Sequence, residues 1–174
     1  GAIRRDNQTV YDVPFPASVP PGSQVTIDFE YQITTPAGAS FYYLAEPYPI
    51  AALYDPQSGW REEVATKGLD YAFTESALFA VNIRAPARYG TWFNGALQNT
   101  VQSADGTNTY TVVTGPARNF VLIQARGWQS FEAKGAGVPV RVLYSGSPQV
   151  ANEIATFTVA AMNDNVLDIP LISR

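Results

Sequence analysis

The chain has 174 residues, 46% of them hydrophobic and 15% charged, enough for one well-buried domain and too few for a second complete one. Its net charge of -4 comes from 15 acids and 11 basic residues with no dense run of either sign, so it has no electrostatic footprint for nucleic acid or an anionic membrane surface. Histidine and cysteine are both absent, which removes disulfides, thiolate chemistry, histidine-based triads and the usual zinc ligands.

The opening GAIRRDNQ lacks the apolar core of a signal peptide. No window reaches the roughly 18 continuous apolar residues of a membrane span, so neither a span nor a visible export signal is expected and the compartment stays undetermined. After the turn SVPPGS, the stretch Gln24–Ile33 alternates strictly, with Val25, Ile27, Phe29, Tyr31 and Ile33 on one side and Gln24, Thr26, Asp28, Glu30 and Gln32 on the other. That period of two predicts an antiparallel strand with one buried face. Phe41 to Trp60, FYYLAEPYPIAALYDPQSGW, is rich in proline and aromatic residues and reads as a connection between strands.

Further strands are predicted in ALFAVNIRAP, with Phe79, Val81 and Ile83 on one face and a stop at Pro86, and in TYTVVTGP, which follows the ADGTN turn and ends at Gly115-Pro116. NFVLIQA is a run of apolar residues that fits a strand buried on both faces, although its periodicity alone also fits a helix turn, and VPVRVLY alternates again after the turn KGAG. Ser147 is placed to cap a helix with Pro148 at its first position, and Val150, Ile154, Phe157 and Ala161 mark an apolar stripe along about four turns that needs a partner. The expected fold is mostly β, an antiparallel β-sandwich or saddle-shaped sheet of roughly seven to nine strands with one C-terminal α-helix. Residues 1–146 form the β part; 147–174 form a helix and tail leading toward a following domain.

Two constellations invite chemistry. The acids Asp28, Glu30, Asp55, Glu62, Glu63, Asp70 and Glu75 could supply a glycosidase-like carboxylate pair, but strand alternation puts Asp28 and Glu30 on a wet face, where solvated carboxylates are ordinary. Tyr42, Tyr43, Tyr48, Tyr54, Trp60, Trp92 and Trp128 could form a platform for sugar rings or other amphipathic ligands, against the ordinary use of aromatics as core and loop anchors. ADGTN lacks the spaced oxygens and closing acid of a calcium loop and reads as a plain hairpin turn.

In order along the chain stand Pro21-Gly22, Tyr48-Pro49, Asp55, Gly59-Trp60, Phe79-Ala80-Val81-Asn82-Ile83, Pro86, Arg118-Asn119-Phe120 and Val140-Arg141-Val142-Leu143-Tyr144. This series, over most of residues 9 to 165, resembles the latter part of the N-terminal β domain of the aminopeptidase N family of zinc metallopeptidases. The resemblance implies a non-catalytic domain that packs against its own catalytic domain in cis, shapes access of peptide substrates, and holds no cofactor itself. Zinc is implied only in the following domain, where the family carries its His-Glu-x-x-His helix. It further implies that a Gln or Glu of this domain helps hold the substrate's free amino group, two residues before a Glu-Pro-like step. The nearest such step here is Glu46-Pro47; Leu44 stands two residues earlier and cannot do that work, which leaves Glu46 as the candidate. No catalytic residue and no metal ligand is expected in this chain. The alternative is a free-standing binding module for carbohydrate or a protein surface.

Overall fold

A computed structural model describes residues 3–4, 10–34, 38–61 and 75–168. Among them the chain is mostly strand, all of it antiparallel, with one C-terminal helix. The strands are β1 (Ile3–Arg4), β2 (Tyr11–Asp12), β3 (Phe41–Ala45), β4 (Tyr54–Asp55), β5 (Gly59–Trp60), β6 (Ala80–Pro86), β7 (Gly90–Phe93), β8 (Ala96–Gln102), β9 (Thr107–Val113), β10 (Val121–Ala125), β11 (Gln129–Gly135) and β12 (Val138–Tyr144). The helix α1 covers Pro148–Asp168.

Two three-stranded sheets, β6-β9-β8 and β3-β10-β7, supply the core. Alternation in β6 turns Val81, Ile83 and Ala85 inward, and β9 answers with Tyr110 opposite Ile83 and Val112 opposite Val81. Ile83, Ala85, Val112 and Phe120 are buried together, and Tyr48, Phe79, Phe93 and Leu122 pack against them, so the cluster draws on both sheets. Val121–Ala125, within NFVLIQA, is a central strand, with Ile123 between Tyr43 of β3 and Trp92 of β7, but it is half-buried up to Ala125 rather than buried on both faces. The ADGTN segment forms the β8–β9 turn, with Gly106 at a φ of 79° and the Asp105 carboxylate accepting the Thr107 amide at 3.0 Å.

The Gln24–Ile33 stretch, predicted as a strand, pairs with no described residue as a β-ladder, and its five apolar side chains are 43–52% exposed. Alternation declares which face would be buried; it does not supply the neighbour whose N–H and C=O groups make a strand. The Tyr31 hydroxyl of this segment donates to the Pro47 carbonyl at 2.6 Å.

β11 and β12 form a hairpin closed by Ala136-Gly137, whose φ values of 50° and 82° are those of a type I′ turn. α1 packs on one face of this hairpin. It begins where Ser147 and Pro148 predicted: the Ser147 carbonyl accepts the Ala151 amide at 3.4 Å, while its hydroxyl donates to the Gln149 side chain. At 21 residues α1 makes about six turns rather than four.

The face it buries also differs from the expected stripe. Ala151 and Ala155 are 1% exposed, while Val150, Ile154 and Phe157 are 53%, 49% and 77% exposed. Close approach explains the choice: Gly135 lies so near α1 that a β-carbon there would stand 3.1 Å from the Val159 Cα, which selects the alanine face.

Candidate functional site

Glu46 follows the last residue of β3, and the local chain is held by Phe120, which immediately precedes β10. The Glu46 amide donates to the Phe120 carbonyl at 3.1 Å, and the Phe120 amide donates to the Tyr48 hydroxyl at 3.0 Å. Antiparallel pairing continues directly behind this corner, from Ala45 opposite Val121 to Leu44 opposite Leu122. The Tyr48 amide donates to the Glu46 carbonyl at 2.8 Å, closing a three-residue turn around Pro47.

Glu46 has a φ of 50°, in the left-handed region that glycine and asparagine favour. A glutamate held there costs of order 1 kcal/mol, and such residues concentrate at functional positions. The side chain is half-buried. Burial raises the Tyr48 phenol above its ordinary value, against the lowering effect of the Phe120 amide, and the neighbouring Glu46 carboxylate raises it further. The corner therefore joins one carboxylate, one neutral phenol and a backbone fixed by a segment 72 residues away.

The remaining acids are placed separately. Asp28 and Glu30 lie on the exposed segment before β3. Asp55 accepts the amides of Gln57 at 2.7 Å and Ser58 at 2.9 Å, and these bonds, the Ser58 one foremost, hold its carboxyl below the usual value. It closes the β4–β5 turn. Glu75 is exposed, and Glu62, Glu63 and Asp70 lie outside the described residues. Among the described residues no group of three or more acidic side chains stands together in a way that could hold a metal ion. Histidine and cysteine, the commonest zinc ligands, do not occur in the chain.

The seven aromatics are dispersed. Trp128 stacks on Phe41, with centroids 4.7 Å apart and planes within 8°; Tyr42 meets Tyr89; Tyr48 meets Phe79 at the core; Tyr54 and Trp60 form an exposed edge-to-face pair at 5.0 Å. Tyr43 is 58% exposed on β3, and Trp92 lines a separate cleft. No single platform unites them.

Trp92, Arg141 and Leu143 of that cleft were singled out separately in the sequence, but not their union, nor the Glu132–Arg141 ion pair at 2.7 Å. One signal was present: with a two-residue turn at Ala136-Gly137, cross-strand partners have numbers summing to 273, which pairs 132 with 141. No described helix is long and apolar enough to cross a membrane. No protein-family model, curated protein or solved structure matches the chain.

Proposed function

We propose that the chain is a non-catalytic N-terminal accessory domain of an aminopeptidase-like zinc metallopeptidase, which packs against the catalytic domain of the same protein and shapes the access of peptide substrates. The observation that carries this reading is the Glu46 corner. Two segments singled out by the family resemblance, Glu46-Pro47-Tyr48 and Arg118-Asn119-Phe120, meet through two hydrogen bonds there, and the carboxylate candidate sits on a strained backbone that only such anchoring would maintain. The exposed row Val150, Ile154 and Phe157 on α1 supports the same reading, since it is a contiguous apolar ridge of the kind an adjoining domain covers. Glu46 would accept a hydrogen bond from the substrate's protonated amino group, and the zinc would belong wholly to the catalytic domain.

The chain expressed alone with added zinc is expected to show no turnover of aminoacyl nitroanilides; turnover would overturn the reading. The encoding gene, read past Arg174, is expected to continue into a His-Glu-x-x-His motif. In that full-length protein, Glu46→Gln should raise KM for peptides with a free amino terminus about tenfold, the loss of one charge-assisted hydrogen bond. An unchanged KM would remove Glu46 from the site.

A further inference from the structure

Away from the Glu46 corner, β7 is an edge strand: it pairs with β10 on one side, and among the described residues no strand lies on its other. Its side chains alternate. Phe93, opposite Leu122, packs on the core, so Trp92, opposite Ile123, is turned to the other face of the sheet. The β11–β12 hairpin is likewise two-sided. Gly135 meets α1 on one side, and Glu132, Pro139, Arg141 and Leu143 face the sheet on the other.

Between sheet and hairpin lies a cleft of about 510 Å³, reaching from Val121 and Ile123 of β10 across to Trp92 of β7 and bounded opposite by Pro139, Arg141 and Leu143. That is within the range of specific small-ligand and side-chain pockets. Gly90 prepares its aromatic wall. A β-carbon there would fall 2.2 Å from Cη2 of the Trp92 ring, so the indole lies against the Gly90 backbone and only glycine leaves it that space. The facing charges neutralise each other, because Arg141 Nε and one terminal guanidinium nitrogen both bond a single Glu132 oxygen, at 2.9 and 2.7 Å. The cleft thus offers an aromatic surface and an apolar floor with a self-compensated polar rim, alongside a row of backbone N–H and C=O groups that no ladder among the described residues uses.

We infer that this cleft and the β7 edge bind an extended peptide segment: the peptide backbone adds to β7 as a further strand, and an apolar or aromatic side chain enters the cleft against Trp92. Strand addition draws affinity from the main chain and selectivity from a pocket that takes alternate side chains, and both elements are present side by side. An extended peptide engages the indole and the β7 backbone together, and the Glu132–Arg141 pair leaves no net charge on the rim to favour a charged side chain. The inference does not depend on the metallopeptidase reading, since the site lies wholly within this chain.

The test is titration of the ¹⁵N-labelled chain, followed by amide NMR, with acetylated and amidated hexapeptides alternating threonine and phenylalanine. Amide shifts are expected at Thr91 to Asn94 and at Glu132 and Arg141. Alternate N-methylation of the peptide, alanine in place of its phenylalanine, and Trp92→Ala should each weaken binding about tenfold or more, while Trp92→Phe retains a ring and should stay within about threefold of wild type. The retained Trp92→Phe binding separates loss of the site from loss of the fold. No shift with the peptide, shifts elsewhere, equal binding of the N-methylated peptide, or shifts at these residues only with a cello-oligosaccharide would each overturn the inference.

Discussion

Val112 has no accessible surface and sits on β9, the central strand of its sheet, in the core cluster to which both three-stranded sheets contribute, so truncating it leaves a hole that the surrounding strands can only partly close. Val112→Ala should cost about 2 kcal/mol in urea unfolding, with an unchanged dependence on denaturant. Charge works differently at this scale. Asp105 is held below the ordinary carboxyl value by the Thr107 hydroxyl first, then by the Thr107 amide and Arg84, and Asp55 by the Ser58 and Gln57 amides. A depressed folded pKa means that the stability these groups contribute is complete above the ordinary value of 3.8 and is lost as pH falls through the lowered ones. The double variant Asp55→Asn, Asp105→Asn should accordingly lose less of its unfolding midpoint than wild type between about pH 6 and about pH 3. An equal loss in both would show that the acid limb arises elsewhere.

Among the elements, alternation identified three of the paired strands, whereas Phe41–Trp60, read as a connection, holds the paired strands β3, β4 and β5, because its run FYYLA does not alternate between apolar and polar residues. Ala80–Pro86, Thr107–Val113 and Val138–Tyr144 are all paired over their full length. Gln24–Ile33 has the cleanest alternation of all and no ladder, since period reports a face and pairing is a property of two segments. Ala96–Gln102 escaped notice for the opposite reason: every residue of it is exposed, and an irregularity between Leu97 and Asn99 breaks its period, so no apolar signal exists to read. On α1, side-chain size pointed to Val150, Ile154 and Phe157, whereas backbone proximity at Gly135 decided for the alanines. Gly135→Ala should therefore destabilise the chain by about 1 kcal/mol or more, because the atom it meets is helix backbone, while Phe157→Ser should stay within about 0.5 kcal/mol. Thermal unfolding of both variants decides whether the alanine face is the packed one. The exposed row before β3 has its own consequence: Phe29→Lys should reduce concentration-dependent association in sedimentation velocity without lowering Tm.

For the molecule as a whole, legibility fell with the sequence distance between cooperating residues. The Glu46 candidate was named from a short local step, Glu46-Pro47, through the family resemblance; its union with Phe120 and Tyr48 depends on the β3–β10 register and could be seen only in three dimensions. The cleft was less legible still, being assembled from β7, β10 and the β11–β12 hairpin, which only the strand pairings and packing bring together.

The hairpin and α1 are contiguous in sequence, and the link from β10 to β11 is only Arg126, Gly127 and Trp128, with Gly127 at a φ of 74°. Across that link Trp128 lies flat on Phe41 of β3, and neither ring lines the cleft. The Phe41–Trp128 stack thus ties the link between sheet and hairpin back onto β3 from outside the cleft. A change in the spacing of hairpin and sheet is expected to disturb this stack, and Trp128 emission, isolated in a Trp60→Phe, Trp92→Phe background, would report it from a place outside the cleft lining.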